Sequence, residues 1–258
     1  MKRQTFSYIT VAIITLTTAL TSCDKNDNLV LVDVKLLDTE TEGLYHSRKF
    51  MYDNQNRIKE IWTFSGGELY EKEILTYTNE DLTKLEYVYL QKGEIVLTNT
   101  TNYVKKGNTI SWSVGVEIIE GEGKGAQDFI STITLNNGGF PEKLEQVLFN
   151  TTSVSTFKYA NGNLTKYTYD TVFSSDNNDP GERNYTYGTN RSAYSGCKTP
   201  KWFMFLRFYE MASHNAVTKT SYPSAATYSY EFDSDRFPTR CTRNFYGIGY
   251  TTEFKYKN

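Results

Sequence analysis

Residues 157–170 read FKYANGNLTKYTYD, two runs of alternating apolar and polar positions joined by Asn161-Gly162-Asn163. Alternation with period 2 marks a strand with one buried face, and Asn and Gly accept the positive φ of a tight hairpin turn. The arrangement recurs more loosely in residues 50–61 (FMYDNQNRIKEI), 75–85 (LTYTNEDLTKL), 102–112 (NYVKKGNTISW), 133–144 (ITLNNGGFPEKL) and 230–241 (YEFDSDRFPTRC). The anchors Tyr52, Tyr77, Tyr103, Leu135 and Tyr159 lie 25, 26, 32 and 24 residues apart, a spacing that suits strand, turn, strand and return. A repeat of this size builds an array in which no single hairpin buries its apolar face alone. The pattern therefore predicts one mainly β domain over residues 29–258: an antiparallel meander of hairpin repeats forming a curved sheet or half-open barrel.

One segment breaks the alternation. Residues 199–212 (TPKWFMFLRFYEMA) carry helix formers behind Thr199, a candidate N-cap, and Pro200, a candidate first helical residue. The predicted helix, at about 200–213, is apolar nearly all round. In a β-rich chain it belongs on the concave face of the sheet.

The first residues form a processing signal rather than an element of the fold. Lys2 and Arg3 precede an uncharged stretch from Tyr8 to Leu20, and Leu20-Thr21-Ser22-Cys23 follows. That order is expected of a lipoprotein signal peptide over residues 1–22, with Cys23 lipidated and residues 23–28 a polar tether. The uncharged run is shorter than the roughly 18 to 20 residues a transmembrane helix needs. Acyl chains on Cys23 would hold the chain at a membrane, at about 0.8 kcal/mol per buried methylene.

Composition adds exclusions. A net charge of −2 gives no basic face for nucleic acid. The 21 tyrosines and 15 phenylalanines suit a pleated, half-buried surface, and the tyrosines read first as large strand residues with hydroxyls reaching solvent. With Cys23 set aside, Cys197 and Cys241 remain, either a disulfide or two separate thiols. His46 and His214 lack ligand spacing for a metal, and no cofactor is expected. No acid stands in an apolar run that would raise its pKa, so paired-carboxylate hydrolysis is not expected. Ser213-His214 are neighbours that do not face one another, and Asp176 to Gly181 fails as a calcium loop because Tyr187 stands where a bidentate Glu belongs. The expectation is a protein that is not an enzyme.

The stretch Leu20 to Cys23, the repeats FMYDNQNRIKEI and FKYANGNLTKYTYD, and the tail from Ser195 to Cys241 resemble a family of lipoproteins of unknown function abundant in gut bacteroidetes. The strands are similar to the tyrosine-aspartate repeats of large bacterial surface proteins. The resemblance implies a cell-envelope location, on the outer membrane, with the periplasmic or surface side left open, and it implies no catalytic residues. Asp170-Thr171-Val172 resembles an O-glycosylation site, which would place the sugar on Thr171. Arg236 stands where the last turn of such repeats usually has Gly, which puts that turn's type in question.

Three functional readings follow. The first is a lipid-anchored, non-catalytic envelope protein that binds or scaffolds an envelope partner. The second is a carrier of a lipid or amphiphile with the helix as lid, which requires an apolar cavity left open by Trp202, Phe205 and Tyr209. The third is a glycan-binding module, for which Trp62 and Trp112 are the first exposed aromatics to check. The oligomeric state is left open.

Overall fold

A computed structural model describes residues 34–43, 46–120, 123–148, 151–169, 181–221 and 225–257. The signal segment, Cys23, the tether and Thr171 lie outside the described residues. The strands are β1 (Leu37–Glu42), β2 (His46–Tyr52), β3 (Ile58–Ser65), β4 (Glu68–Thr78), β5 (Asp81–Gln91) and β6 (Glu94–Asn102). After them come β7 (Val104–Lys106), β8 (Thr109–Glu120), β9 (Gly123–Leu135), β10 (Pro141–Leu148), β11 (Thr151–Ala160) and β12 (Asn163–Tyr169). The last are β13 (Gly181–Arg191), β14 (Asn215–Thr220), β15 (Ala226–Phe232), β16 (Pro238–Phe245) and β17 (Ile248–Tyr256), with helix α1 (Lys201–Phe208) between β13 and β14.

Consecutive strands pair antiparallel, and β1 pairs with both β2 and β17, so the predicted meander curls into a nearly closed barrel. It opens at one seam. β6 and β7 are a single run interrupted at Tyr103; β6 pairs with β5 and β7 with β8. Among the described residues, β6 is hydrogen-bonded only to β5, and β8 beyond Ser111 only to β9.

The repeated turns share one device. Asp53 Oδ1 accepts the backbone N–H groups of Gln55 and Arg57 at 2.9 and 3.0 Å. Asn136 does the same for Gly138 and Phe140, and Asp233 for Asp235 and Phe237. In each turn the fourth residue has positive φ: Asn56 at 64°, Gly139 at 76° and Arg236 at 66°. Arg236 thus keeps the turn type that glycine would give, held by the side chain of Asp233 in spite of its own Cβ.

Directly after most of these or similar turns the second strand bulges. The register shifts at Ile58/Glu60, Leu82/Lys84, Leu164/Lys166 and Pro238/Arg240, leaving Lys59, Thr83, Thr165 and Thr239 as the extra residues. Each of those three threonines donates its hydroxyl to a carbonyl of the preceding strand, on Thr76, Lys158 and Glu231. A bulge advances the chain by one residue without a partner, so every side chain beyond it changes face.

The tyrosines of the repeats face the barrel interior, and their hydroxyls do not reach for solvent as the composition alone suggested. Tyr77 donates to the Ile58 carbonyl at 2.7 Å, Tyr187 to Leu164 at 2.6 Å, Tyr256 to Pro238 at 2.8 Å and Tyr52 to Leu37 at 2.9 Å. All four acceptors stand at register shifts. A carbonyl turned out of the ladder by a bulge still needs a donor, and the tyrosine of a neighbouring repeat supplies it.

The core is closed by α1, which enters from the rim that carries these turns. Trp202, Phe203, Met204, Phe205 and Phe208 are all buried. Burial of each contributes on the order of 2 kcal/mol before chain entropy is charged against it. The helix begins one residue later than the sequence suggests: Pro200 holds the N-cap position, and the Thr199 hydroxyl instead accepts the backbone N–H of Ile58 at 2.7 Å. After eight residues the helix tightens into a 3-10 turn, Tyr209–Ala212.

Candidate functional site

Inward positions on the side of α1 away from its entry rim are polar rather than apolar. β1 and β2 bring Glu40, Glu42, His46 and Arg48; β15 to β17 bring Tyr228, Cys241, Arg243 and Tyr250; the helical segment adds Arg207, Tyr209 and Glu210. Together they line a cavity of about 250 Å³. A second hollow of about 200 Å³ shares Glu210, Tyr228 and Arg243 with it and is bounded on the far side by Arg183, Thr220 and Phe245.

Most charges of this bowl are paired within the protein. Glu40 is ion-paired with Arg48 and accepts the Tyr194 hydroxyl. Arg207 crosses from the helix to β4, where Nε donates to both Glu73 oxygens at 3.1 Å and Nη2 to Oε1 at 2.5 Å. Its Nη2 also donates to Tyr87 Oη at 3.1 Å. Glu73 is wholly buried, so this bidentate pair is what makes its ionised form tolerable inside the barrel. At the mouth, Tyr228 donates to Glu210 at 3.1 Å, and Arg243 stands 3.9 Å from Glu42 with its guanidinium over the Tyr250 ring.

One acid departs from the sequence expectation that none has a raised pKa. Glu71 points inward two residues before Glu73, and burial together with the neighbouring Glu73 charge pushes its carboxyl up, against the pull of Arg207 and of the Thr63 hydroxyl. The alternation of β4 hides this, because Lys72 lies on the opposite face and Tyr70 is the extra residue of a bulge. Glu71 does not border the 250 Å³ cavity. Cys241 does, and burial pushes its thiol up to about 11, which keeps it protonated and a poor nucleophile. Among the described residues no group of three His, Cys, Asp or Glu is placed to hold a metal ion.

The structure scatters the aromatics proposed from sequence. Trp202 and Phe205 are core residues; Phe205 packs against Phe140 and Tyr159. Trp112 also faces inward, stacked on Trp202 with centroids 6.4 Å apart and packed on Tyr103. Trp62 faces outward instead, under Lys72 and donating to Glu60 at 2.9 Å, because the Lys59 bulge reverses the faces of β3. Trp62 and Trp112 therefore form no common platform. Only Tyr209 reaches the bowl. Cys197 and Cys241 are free thiols: Cys197 Sγ lies 3.2 Å from the Thr199 hydroxyl near the helix entry, while Cys241 lies in the bowl beside Tyr230. The disulfide alternative is not formed.

Other hollows are apolar and small or lie among surface turns. One of about 260 Å³ runs beside Met204 and Phe205, and one of about 180 Å³ beside Trp112 and Trp202. A wider one, about 820 Å³, lies between the turns at the entry rim, where Arg57 is paired with Asp53 and Lys105 with Asp81.

The outward face is charged. Lys84 pairs with Glu86, Lys143 with Glu145, Lys166 with Glu182 and Arg240 with Glu231 along the outer faces of β5, β10, β12, β13, β15 and β16. A barrel that spans lipid carries an apolar band there and its polar groups inside; here the apolar core is inside and the outer face of these strands is wetted.

No protein-family model matches the chain, and none of the curated proteins matches it. Among solved structures it is similar to a porin-like protein from Bacteroides uniformis ATCC 8492, at TM-score 0.40 and 14% identity over 86% of this chain and 98% of that one. It is similar as well to a porin-like protein from Bacteroides vulgatus ATCC 8482, at TM-score 0.40 and 10% identity over 86% of this chain and 99% of that one. At that distance the likeness bears on neither family nor activity.

Proposed function

We propose that the protein is a non-catalytic binding protein of the cell envelope, anchored to the outer membrane through lipid on Cys23, that takes a polar ligand or partner group into the charged bowl. The observation that supports this reading is the bowl itself. Its carboxylates and guanidiniums, Glu40 among them buried at a cost in desolvation, are positioned by ion pairs and hydrogen bonds from several strands and border open space instead of filling it. The Lys2-Arg3 start and the Leu20 to Cys23 segment support the anchor, and the wetted outer face fits a barrel that stands beside its membrane rather than in it.

The carrier reading has less behind it. The space it needs around Trp202 and Phe205 is filled by those side chains, which are buried in the core against Tyr103, Trp112, Phe140 and Tyr159. The opposite faces of Trp62 and Trp112 speak against a glycan platform built on that pair.

The test is native mass spectrometry of the full chain purified from bacterial membranes, with Cys23→Ala as its partner. A diacylglyceryl mass on the wild type, its loss in the variant, and a polar small molecule released on unfolding are the expected results. A stoichiometric lipid released from the variant would favour the carrier instead.

A further inference from the structure

We infer that the ligand of the bowl is an uncharged saccharide, one or two rings long. The inference rests on the bowl being the binding site, and it turns on the state of the charges there. The cavity wall carries three carboxylates, Glu40, Glu42 and Glu210, and three guanidiniums, those of Arg48, Arg207 and Arg243. Each is met within the protein: Glu40 by Arg48 and Tyr194, Arg207 by Glu73, Glu210 by the Tyr228 hydroxyl and the nearby Arg183 charge, and Glu42 by Arg243 at 3.9 Å.

A charged ligand would have to break one of these pairs and leave its partner uncompensated, which is the expensive way to bind an ion in a partly desolvated site. A hydroxyl does not. A paired carboxylate still has lone pairs to offer and a paired guanidinium still has N–H groups, since the first accepts about four hydrogen bonds and the second donates five. A ligand whose every substituent both donates and accepts meets such a wall without disturbing its charge balance.

The aromatic residues fit the same class. Tyr250 and Tyr209 are exposed, at 38% and 43%, where Tyr194, Phe208 and Phe254 of the same cavity wall are buried. Arg243 lies 5.2 Å from the centroid of Tyr250, so its guanidinium holds that ring in place at the mouth. A ring face presented beside paired polar groups receives the C–H face of a sugar while its edges are hydrogen-bonded. The length follows from the two hollows, about 250 and 200 Å³, which meet at Glu210, Tyr228 and Arg243.

The experiment is saturation-transfer NMR on the full chain in detergent. Neutral probes are glucose, galactose, mannose, N-acetylglucosamine and their disaccharides; charged probes are glucuronate, glucosamine, glutamate and arginine. Transfer to a neutral sugar, stronger for a disaccharide, is expected, with at least a tenfold loss of affinity in Arg243→Gln and in Tyr250→Ala and none in the outward-facing Arg240→Gln. Two inward variants are used so that misfolding of one does not decide the result. Binding of charged probes alone would overturn the saccharide and leave the bowl as the site. Neutral binding untouched by both inward variants would place the sugar elsewhere and overturn the inference. Absence of transfer from every probe would overturn the inference and the polar-ligand reading together.

Discussion

Tyr77 donates its hydroxyl to the Ile58 carbonyl at 2.7 Å, so that one repeat closes the bulge of the repeat before it. Tyr187 makes the equivalent bond to Leu164 at 2.6 Å. Removing the hydroxyl leaves a part-buried carbonyl without its donor, which costs about 1 to 2 kcal/mol. Tyr77→Phe and Tyr187→Phe are each expected to lower the unfolding free energy by that amount, seen as a lower urea midpoint at unchanged slope. Because the two sites share no partner, the double variant should show the sum. A change below about 0.3 kcal/mol in either would mean that water replaces the tyrosine.

The Arg207–Glu73 pair ties the helix to β4 across 134 residues of sequence. Removing the arginine alone strands a wholly buried carboxylate, and Arg207→Met is expected to destabilise by about 3 kcal/mol. Replacing both residues with methionine should recover most of that loss, since a well-packed apolar pair carries no desolvation cost. Equilibrium unfolding of the two single variants and the double variant measures this directly. A double variant as unstable as Arg207→Met would show that the helix is held by shape and not by charge.

Arg236 occupies φ 66° in a turn whose counterparts use Asn56 and Gly139. An L-residue with a Cβ pays about 1 kcal/mol or more there, and glycine returns part of it as unfolded-state entropy. Arg236→Gly is therefore expected to stabilise by about 0.5 kcal/mol, seen as a rise in Tm. The Asp233 side chain, which holds the turn through the N–H groups of Asp235 and Phe237, is needed in both forms.

Much of this was legible in the residues. The Asx turns at Asp53, Asn136 and Asp233 sit where the repeats placed them, and the helix lies within the segment that broke the alternation. What the alternation did not carry was parity across a bulge. Counting by twos from Ile58 sends Trp62 inward, but Lys59 is an extra residue, so Ile61 and Thr63 face the core and Trp62 faces out. The bowl was hidden for a different reason. Glu40, Glu73, Arg207 and Arg243 come from strands and a helix far apart in sequence, and a period of 2 says which residues share a face without saying what that face meets.

β6 is an open edge with Ile95, Val96 and Leu97 exposed in a row and no Lys, Arg or Pro among its residues. Such an edge is a template for pairing with another chain. Val96→Lys is expected to slow concentration-dependent aggregation, measured by light scattering, without moving Tm, because the side chain is 59% exposed and packs against little. Unchanged aggregation would show that the seam beside β8 already protects the edge.

Glu71 gives the fold a pH dependence of definite sign. Its carboxyl is held above the usual value of about 4.5 by burial first and by Glu73 second, so the folded protein binds this proton more tightly than the unfolded chain does. The stabilisation that proton provides is complete below about 4.5 and is lost as pH rises through the folded value. At neutral pH the residue is a net burden, since a second carboxylate then stands beside Glu73 with only one guanidinium, 3.9 Å from Glu71, serving both. Glu71→Gln keeps an oxygen to accept from Thr63 and removes the charge. The variant should match the wild type near pH 4 and become the more stable of the two as pH is raised toward 7. Urea midpoints of both proteins across that range test it. A difference that stays constant with pH would mean that Arg207 compensates Glu71 fully and that its proton does not distinguish the folded from the unfolded chain.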